Sequence, residues 1–434
     1  MSTRIAFVAG ALLCALCLAY TWRQPVLAMS NSAMSNSPLF RRQSQNQLAL
    51  RQDWRLGHPA SYENLTLWAV LSDRSFPPGE FITLDEGVRT GKVTITELGA
   101  QGQTRTLRPG EQVEDEAEVN KLSLVNNSGK DLILIAGEMI IGGQQDRIDA
   151  SDRIIPSTGR PLPIDVFCIE PDRWSGTQSF GQSQMIADDG SGRQANRSGA
   201  SPATLAGGSG TSAGPGMGVG SGSSGGLGPA SAGGVGSGSG TGMANLSVRE
   251  KAEAKKDQSE VWQSVSTTKV ETLAILNSAE VVTVSGGTSS LNGVYNDKAV
   301  EAKLEGYEKA LSSSVAAQNV VGVVVAVNGQ IEAADIFGSH ELFETYWPKL
   351  LKSYEVEAVS AAGQKAHPVK PPTSAAALAF IRSVEGRFSS EGQTGLYKLI
   401  KRESETSTSF ELDYSGSRTP MLVHFNRVVS RVKR

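Results

Sequence analysis

Two short stretches concentrate the side chains able to do chemistry. One runs Gly137-Glu138-Met139-Ile140-Ile141-Gly142-Gly143-Gln144-Gln145-Asp146-Arg147. The other runs Val166-Phe167-Cys168-Ile169-Glu170-Pro171-Asp172-Arg173-Trp174. Each sets a carboxylate (Glu138, Glu170) a few residues before a guanidinium (Arg147, Arg173). Two guanidiniums fork onto a phosphate or a carboxylate. Two carboxylates accept from ribose hydroxyls, Gln145 adds a neutral polar group, and Trp174 offers a face to a base or an arginine. Gly137, Gly142 and Gly143 allow close backbone approach.

Three readings of this set stay open. Glu138 and Glu170 can pair with Arg147 and Arg173 simply to order turns. The same groups can bind a small anionic, nucleotide-derived ligand. Or Glu138 or Glu170 is the general base of a hydrolase, which requires a carboxylate within about 3.2 Å of the reacting water or hydroxyl.

Other chemistries find little support. No G-x-x-x-x-G-K-[ST] loop and no dinucleotide fingerprint is present. His58, His340, His367 and His424 are scattered, without an H-E-x-x-H or a Cys/His cluster, so neither a metal site nor a cofactor is expected. Cys168 lies among apolar strand residues and reads as core. Cys14 and Cys17 fall in the N-terminal apolar run, which leaves no intramolecular disulfide in a processed chain. His340 follows Ser339 at a helix start, where capping by the serine is the simpler reading.

The elements that must position these residues are legible as strands and helices. Residues 65–71, 92–98 and 164–169 read as strands by apolar density or alternation. Residues 121–126 and 131–136 flank Asn127-Ser128-Gly129-Lys130 and read as a hairpin. Four successive apolar residues, Leu132 to Ile135, predict a strand buried on both faces. Ser247 and Glu250 have capping-box spacing and predict a helix to about residue 264. A second helix is expected over 298–311. The β-branched run 320–327, the pair Asn328-Gly329 and residues 331–337 predict a hairpin. Leu342, Phe343, Tyr346, Trp347, Leu350, Leu351 and Tyr354 form a helical stripe that Pro348 should kink or restart. A helix over 375–384 and strands near 395–401, 406–414 and 421–428 close the chain. This mixed order argues for an α+β fold with one mixed, largely antiparallel sheet and packed helices.

The two polar blocks, with Ser157 between them, resemble the domain family named for its association with ADP-ribosylglycohydrolases and rhodanese-phosphatases. Gln258-Ser259-Glu260-Val261-Trp262 and the stretch NGQIEAADIFGSHELFETYWPKLLKSY extend the likeness, which covers about residues 65–188 and 244–358. Asp146 departs from the pattern, where Asn is expected before the arginine. That name records association rather than a reaction, so a link to ADP-ribose or related metabolites follows only by analogy. The ligand-site candidates are Glu138, Gln145, Arg147, Ser157, Glu170, Arg173 and Trp174.

Residues 1–28 read as an export signal: Arg4, an apolar run over 5–20, and Val26-Leu27-Ala28 as a cleavage site. Kept uncleaved, the run would be a membrane anchor. A start at Met29 or Met34 would instead leave a cytosolic protein. Residues 29–60 read as a mobile polar tail. Of the 53 residues from 190 to 242, 20 are Gly and none is aromatic, so the segment cannot bury enough surface to offset its ordering entropy. It predicts a disordered insert splitting one domain, 61–189 and 243–360. Residues 361–434 would supply a helix and strands packed on that domain. A net charge of −3 gives no sign of a nucleic-acid partner. The small basic end (Arg427, Arg431, Lys433, Arg434) reads as a solvated terminus. The sequence thus points to an exported periplasmic or extracellular protein. It is a binding or scaffold domain, a hydrolase, or a structural envelope protein with the insert as spacer.

Overall fold

Seven of the eight residues Val320–Val327 are Val or Ala, and the whole strand is buried. Such a run fits only where both faces of a sheet are covered. It becomes β12, near the middle of an eight-stranded antiparallel sheet. That sheet also contains Arg55–Tyr62 (β1), Leu65–Leu71 (β2), Gln330–Phe337 (β13), Arg387–Gln393 (β14), Tyr397–Glu403 (β15), Ser407–Tyr414 (β16) and Met421–Val429 (β17). Its strand order is β1-β2-β12-β13-β17-β16-β15-β14. Asn328 and Gly329 both adopt positive φ, 51° and 73°, and close the predicted β12–β13 hairpin.

The computed structural model describes residues 51–75, 81–98, 120–170, 179–180, 242–276, 290–364, 370–416 and 421–430. The stretch expected to be an export signal, Arg173, Trp174, the insert apart from Gly242, His367, and Arg431, Lys433 and Arg434 lie outside the described residues. Among the described residues, no helix is long and apolar enough to cross a membrane.

The fold is α+β and its pairing is largely antiparallel, but the strands divide among three sheets. Val93–Glu97 (β4), Lys121–Asn126 (β5), Met139–Ile140 (β7), Arg147–Asp149 (β8), Leu162–Cys168 (β10) and Ser179–Phe180 (β11) form the second, ordered β11-β4-β5-β10-β8-β7. Phe81–Thr83 (β3), Asp131–Leu134 (β6) and Arg153–Ile155 (β9) form the third, in which β3 and β6 run parallel. The predicted 121–136 hairpin is therefore absent: β5 pairs with β4 and β10, and β6 with β3 and β9. The cause is Asn126. Its Nδ2 donates to Lys130 O and Ile155 O, both at 2.9 Å, while its Oδ1 accepts from Ser128 N at 3.0 Å. This side-chain bracket turns β6 out of β5's sheet. The expectation that β6 is buried on both faces holds. Ile133 and Ile135 enter the largest core, and Leu132 and Leu134 a smaller one.

The N-terminal boundary also moves. Arg51 and Trp54 are buried and β1 begins at Arg55, inside the stretch expected to be a tail. β1 is a polar edge strand that takes its hydrogen bonds from β2, so its composition hides it.

The helices are Leu84–Arg89 (α1), Leu246–Arg249 (α2), Gln258–Ile275 (α3), Leu291–Tyr295 (α4), Lys298–Leu311 (α5), His340–Ala361 (α6) and Ser374–Arg382 (α7). α6 continues through Pro348 as one helix, so the proline does not restart it. An interior proline costs about 3 kcal/mol. The seven large side chains of the predicted stripe are all buried, each worth roughly 1.5–3 kcal/mol, and outweigh it. Ser339 caps α6 by accepting from Leu342 N at 3.1 Å. The single helix expected from Ser247 is instead two. Ser247 gives its N–H and hydroxyl to Glu357 at 2.9 and 2.7 Å, so it is unavailable as a cap. α2 passes into a π-helical turn, Glu250–Lys255, and Lys256 ends that turn with φ 54°. Asp257 then caps α3 by accepting from Glu260 N at 2.9 Å.

Gly322 shows how tightly β12 and β13 meet. A Cβ there would lie 2.6 Å from Ile336 Cα and closer still to Asp335 O. Gly322→Ala should therefore lower stability by roughly 1–3 kcal/mol, the usual cost of overpacking. A shift in the urea midpoint at unchanged slope will measure it, and an unchanged midpoint would disprove the close approach.

Candidate functional site

The second polar block is assembled by a glutamine. Gln258, the first residue of α3, accepts from Cys168 N and donates to Cys168 O, both at 2.9 Å. It pairs with the end of β10 as a neighbouring strand would and docks α3 onto the sheet. One turn later the indole of Trp262 reaches the Cys168 thiol, while Trp262 itself stays 37% exposed. Burial pushes the thiol pKa up, against the opposing pull of Arg147. Cys168 is thus a buried thiol packed in the core.

Gln145, Arg147 and Glu170 are all buried here. Gln145 donates to Glu170 O at 3.0 Å and accepts from Cys168 Sγ at 3.1 Å. Glu170 accepts from Asp146 N at 3.2 Å. Arg147 lies 3.9 Å from Glu97. Asp146 ties the loop together, accepting from Gly142 N at 2.9 Å and from Ser290 Oγ at 2.6 Å. The carboxylate at this position therefore has two donors to satisfy.

Glu138 does not join this group through its side chain. It is fully buried and bonded to Lys349 of α6, while its other oxygen accepts from Ile135 N at 2.8 Å. Lys349 also holds Asp85 at 2.8 Å. Burial pushes the Glu138 carboxyl up to about 7, against the pull of Lys349, and Asp85 adds to the rise. Its ion-pair partner is thus a lysine distant in sequence, not the expected arginine. Ser157 sits elsewhere, half-buried in a turn, accepting from Gly129 N at 2.8 Å. Gly137 has φ +87°, and what approaches it is Arg249, whose Cγ would lie 2.5 Å from an added Cβ.

The most heavily charged interior lies where the sequence offered no motif. Arg249 grips Asp335 with two bonds, 3.1 and 2.6 Å, and Tyr354 donates to the same carboxylate at 2.5 Å. His424 Nδ1 is 2.6 Å from Asp152, and its Nε2 is 3.4 Å from Asp335. Asn426 donates to Glu253 at 2.7 Å. Ala136 N donates to Asp152 at 2.8 Å. All of these polar and charged side chains, Tyr354 included, are at most 1% exposed. The signal for them was present. Asp335 interrupts an apolar strand, and His424 and Asn426 alternate with apolar residues, which puts all three on the inward face.

The protonation states follow from these contacts. Burial disfavours the imidazolium, but Asp152 and Asp335 outweigh it and lift His424 to about 9. Asp335 is held below the usual carboxylate range by Arg249 and His424, despite its burial. Glu253 is pushed up to about 8 by burial and then by Asp152, so it carries a proton near neutrality. His424 is accordingly a buried cation rather than a base. Among the described residues, no three His, Cys, Asp or Glu side chains group as a metal site.

The model of the ARG and Rhodanese-Phosphatase-superfamily-associated Protein domain family matches residues 53–210 and 239–428. The match begins at the edge of β1 and runs through β17, beyond the span the motifs alone suggested. No curated protein and no solved structure matches the chain.

The interior charges set a pH dependence. Glu253 (4.5 to about 8), Glu138 (4.5 to about 7), Asp149 (3.8 to about 6) and His424 (6.5 to about 9) all have raised values in the fold. A raised group contributes fully below its unfolded value and loses that contribution as pH rises through its folded value. Asp335 acts oppositely and is lost only in acid, below 3.8. Stability should therefore peak near about pH 4 and fall steadily to about pH 9. Glu253→Gln should flatten part of that slope. Urea midpoints that stay level or rise over this range would contradict the assignment.

Proposed function

The chain belongs to the ARG and Rhodanese-Phosphatase-superfamily-associated Protein domain family, and from that premise we propose that it is an exported, non-catalytic binding domain for a small anionic, nucleotide-derived ligand. The observation that carries this reading is the pair of hydrogen bonds between Gln258 and the backbone of Cys168. It brings a partly exposed indole, Trp262, against the strand end that carries Arg147, Cys168 and Glu170. A guanidinium, a carboxylate and an aromatic face are the groups that recognise a phosphate, a ribose and a base. Arg173 and Trp174, three and four residues past Glu170, are the further contacts the motif supplies.

The general-base reading is supported less. Glu138 has an ordinary base's pKa, near 7, but both its oxygens are engaged and the side chain is fully buried. A base must reach the proton it abstracts. Export rests on the pattern of residues 1–28: a charged start, a short apolar run and a small-residue cleavage site.

Thermal-shift titration with ADP-ribose, nucleotides and sugar phosphates at millimolar concentration tests the binding reading. A ligand present at a hundred times its Kd adds about 2.7 kcal/mol. For a domain of this size that raises Tm by several degrees, at roughly 2–4 °C per kcal/mol. Trp262→Ala, at a partly exposed site, should fold normally and lose most of the shift. Absence of stabilisation by every member of the panel would refute the proposal.

A further inference from the structure

The large sheet ends in two unlike edges. β1, at one end, is guarded. It carries Pro59, its register slips between Leu56 and Pro59, and α5 and α7 pack beside it. The second and third sheets end in strands of only two or three residues, another common guard. β14, at the far end of the large sheet, has none of these devices. Its seven residues, Arg387–Gln393, pair with β15 without a register shift, and all but Phe388 are exposed. Among the described residues, no strand pairs with its outer side.

The pairing pattern fixes which backbone groups face outward. Ser415 N donates to Leu396 O at 2.7 Å, so Leu396 faces β16. Successive residues of an antiparallel strand face opposite sides. Tyr397, Leu399, Lys401 and Glu403 therefore face β14, where they lie opposite Gln393, Glu391, Ser389 and Arg387. Those four residues of β14 turn N–H and C=O inward, while Ser390 and Gly392 turn theirs outward. The same four put their side chains on one face of the strand. There Glu391 lies 3.7 Å from Lys256 and 3.4 Å from the Ser151 hydroxyl, and its side chain is 60% exposed. So loose and exposed a pair is worth little and leaves the carboxylate open to a further cation. Arg387 is exposed and forms no ion pair among the described residues. A charge of each sign, four residues apart on an open edge, does not guard that edge against a copy of itself.

We propose that β14 is a dimerisation edge, on which a second copy of this chain lays its own β14 antiparallel, centred on Ser389. In that register Arg387 lies opposite the partner's Glu391, and Glu391 opposite the partner's Arg387, so both charged cross-strand pairs attract. Centring on Ser390 sets Arg387 against the partner's Gln393 and Glu391 against the partner's Ser389. Centring on Phe388 brings Glu391 to the partner's Glu385, and centring on Glu391 sets two carboxylates face to face. The Ser389 register is the one the charges select. One strand then serves as both halves of a twofold interface, and the two eight-stranded sheets run on as one. The seven-residue seam spans about 24 Å. That is small for a specific interface, so association should be weak and depend on concentration. The seam does not use the Trp262 region, so it goes beyond the function proposed above.

Sedimentation velocity of the full chain, from low micromolar to several hundred micromolar, is the test. The wild type should move from monomer towards dimer as concentration rises. Arg387→Glu alone and Glu391→Arg alone each set like charges opposite one another at both ends of the seam. Each should weaken self-association about tenfold or more. An equimolar mixture of the two variants should dimerise as well as the wild type, because each copy then meets its opposite charge at both positions. Ser390→Pro removes an outward N–H and no bond to β15, so it should keep the wild-type urea midpoint and stay monomeric. It thereby separates loss of the interface from loss of the fold. A wild type that stays monomeric throughout would overturn the proposal and leave the edge to an extended segment of another protein. Dimerisation unchanged in all three variants would overturn it as well, by placing the interface elsewhere. So would a mixture no more dimeric than its two components.

Discussion

The buried pair of Arg249 and Asp335 is the contact on which the rest of the structure turns. Taking each ion out of water costs several kcal/mol, and only good geometry with further hydrogen bonds offsets that. Here the guanidinium grips the carboxylate with two bonds, Tyr354 donates a third, and His424 adds a positive charge at 3.4 Å. The four residues come from α2, β13, α6 and β17. Satisfying one buried charge therefore fixes four elements against one another. His424 extends the constraint to Asp152, whose other oxygen holds Ala136 N, so the second and third sheets are tied to the first.

The same pair explains how the chain returns after residue 241. Arg249 packs its stem on Gly137, where a Cβ would not fit. Beside it, Met139 N donates to Gly242 O at 2.8 Å, and Ala244 N donates to Gly137 O at 2.9 Å. The returning segment is thus laid against Gly137–Met139 before α2 begins. Glu357 of α6 then takes Asn245 and Ser247, and Gln258 clamps Cys168. The two halves of the sequence are joined by these side-chain contacts as much as by strand pairing. A glycine that reads as room for a ligand is room for an arginine.

What the sequence made legible follows from local physics. The 320–337 hairpin, the α5 boundaries and the α6 stripe came from periodicity and turn chemistry, which act within a few residues. The misses came from long-range terms. Asn126 diverts β6 through a bond to Ile155, 29 residues away. Ser247 loses its capping role to Glu357, 110 residues on. Glu138 finds Lys349 rather than Arg147. Of the candidate site, Gln145, Arg147 and Glu170 do meet around Cys168, because they lie at or just beyond the paired ends of β8 and β10. Ser157 falls elsewhere because its turn belongs to a different sheet edge. His424 looked isolated because its partners, Asp152 and Asp335, lie 272 and 89 residues before it, and no spacing rule spans such gaps.

β17 shows how one constraint serves both faces of the sheet. Its sequence, MLVHFNRVV, sets His424 and Asn426 against Phe425 and Arg427. A slip of one residue would turn every side chain to the other face. Hydrophobic alternation fixes the register only weakly here, since both faces carry a polar residue and both are covered. His424 fixes it strongly, because a slipped imidazolium would leave Asp152 and Asp335 as buried anions without their cation. The register so chosen places Phe425 under Arg51 and Arg427 beside Ser409. The arrangement of the outer guanidiniums is therefore a consequence of charges they never touch, on the opposite side of the same strand.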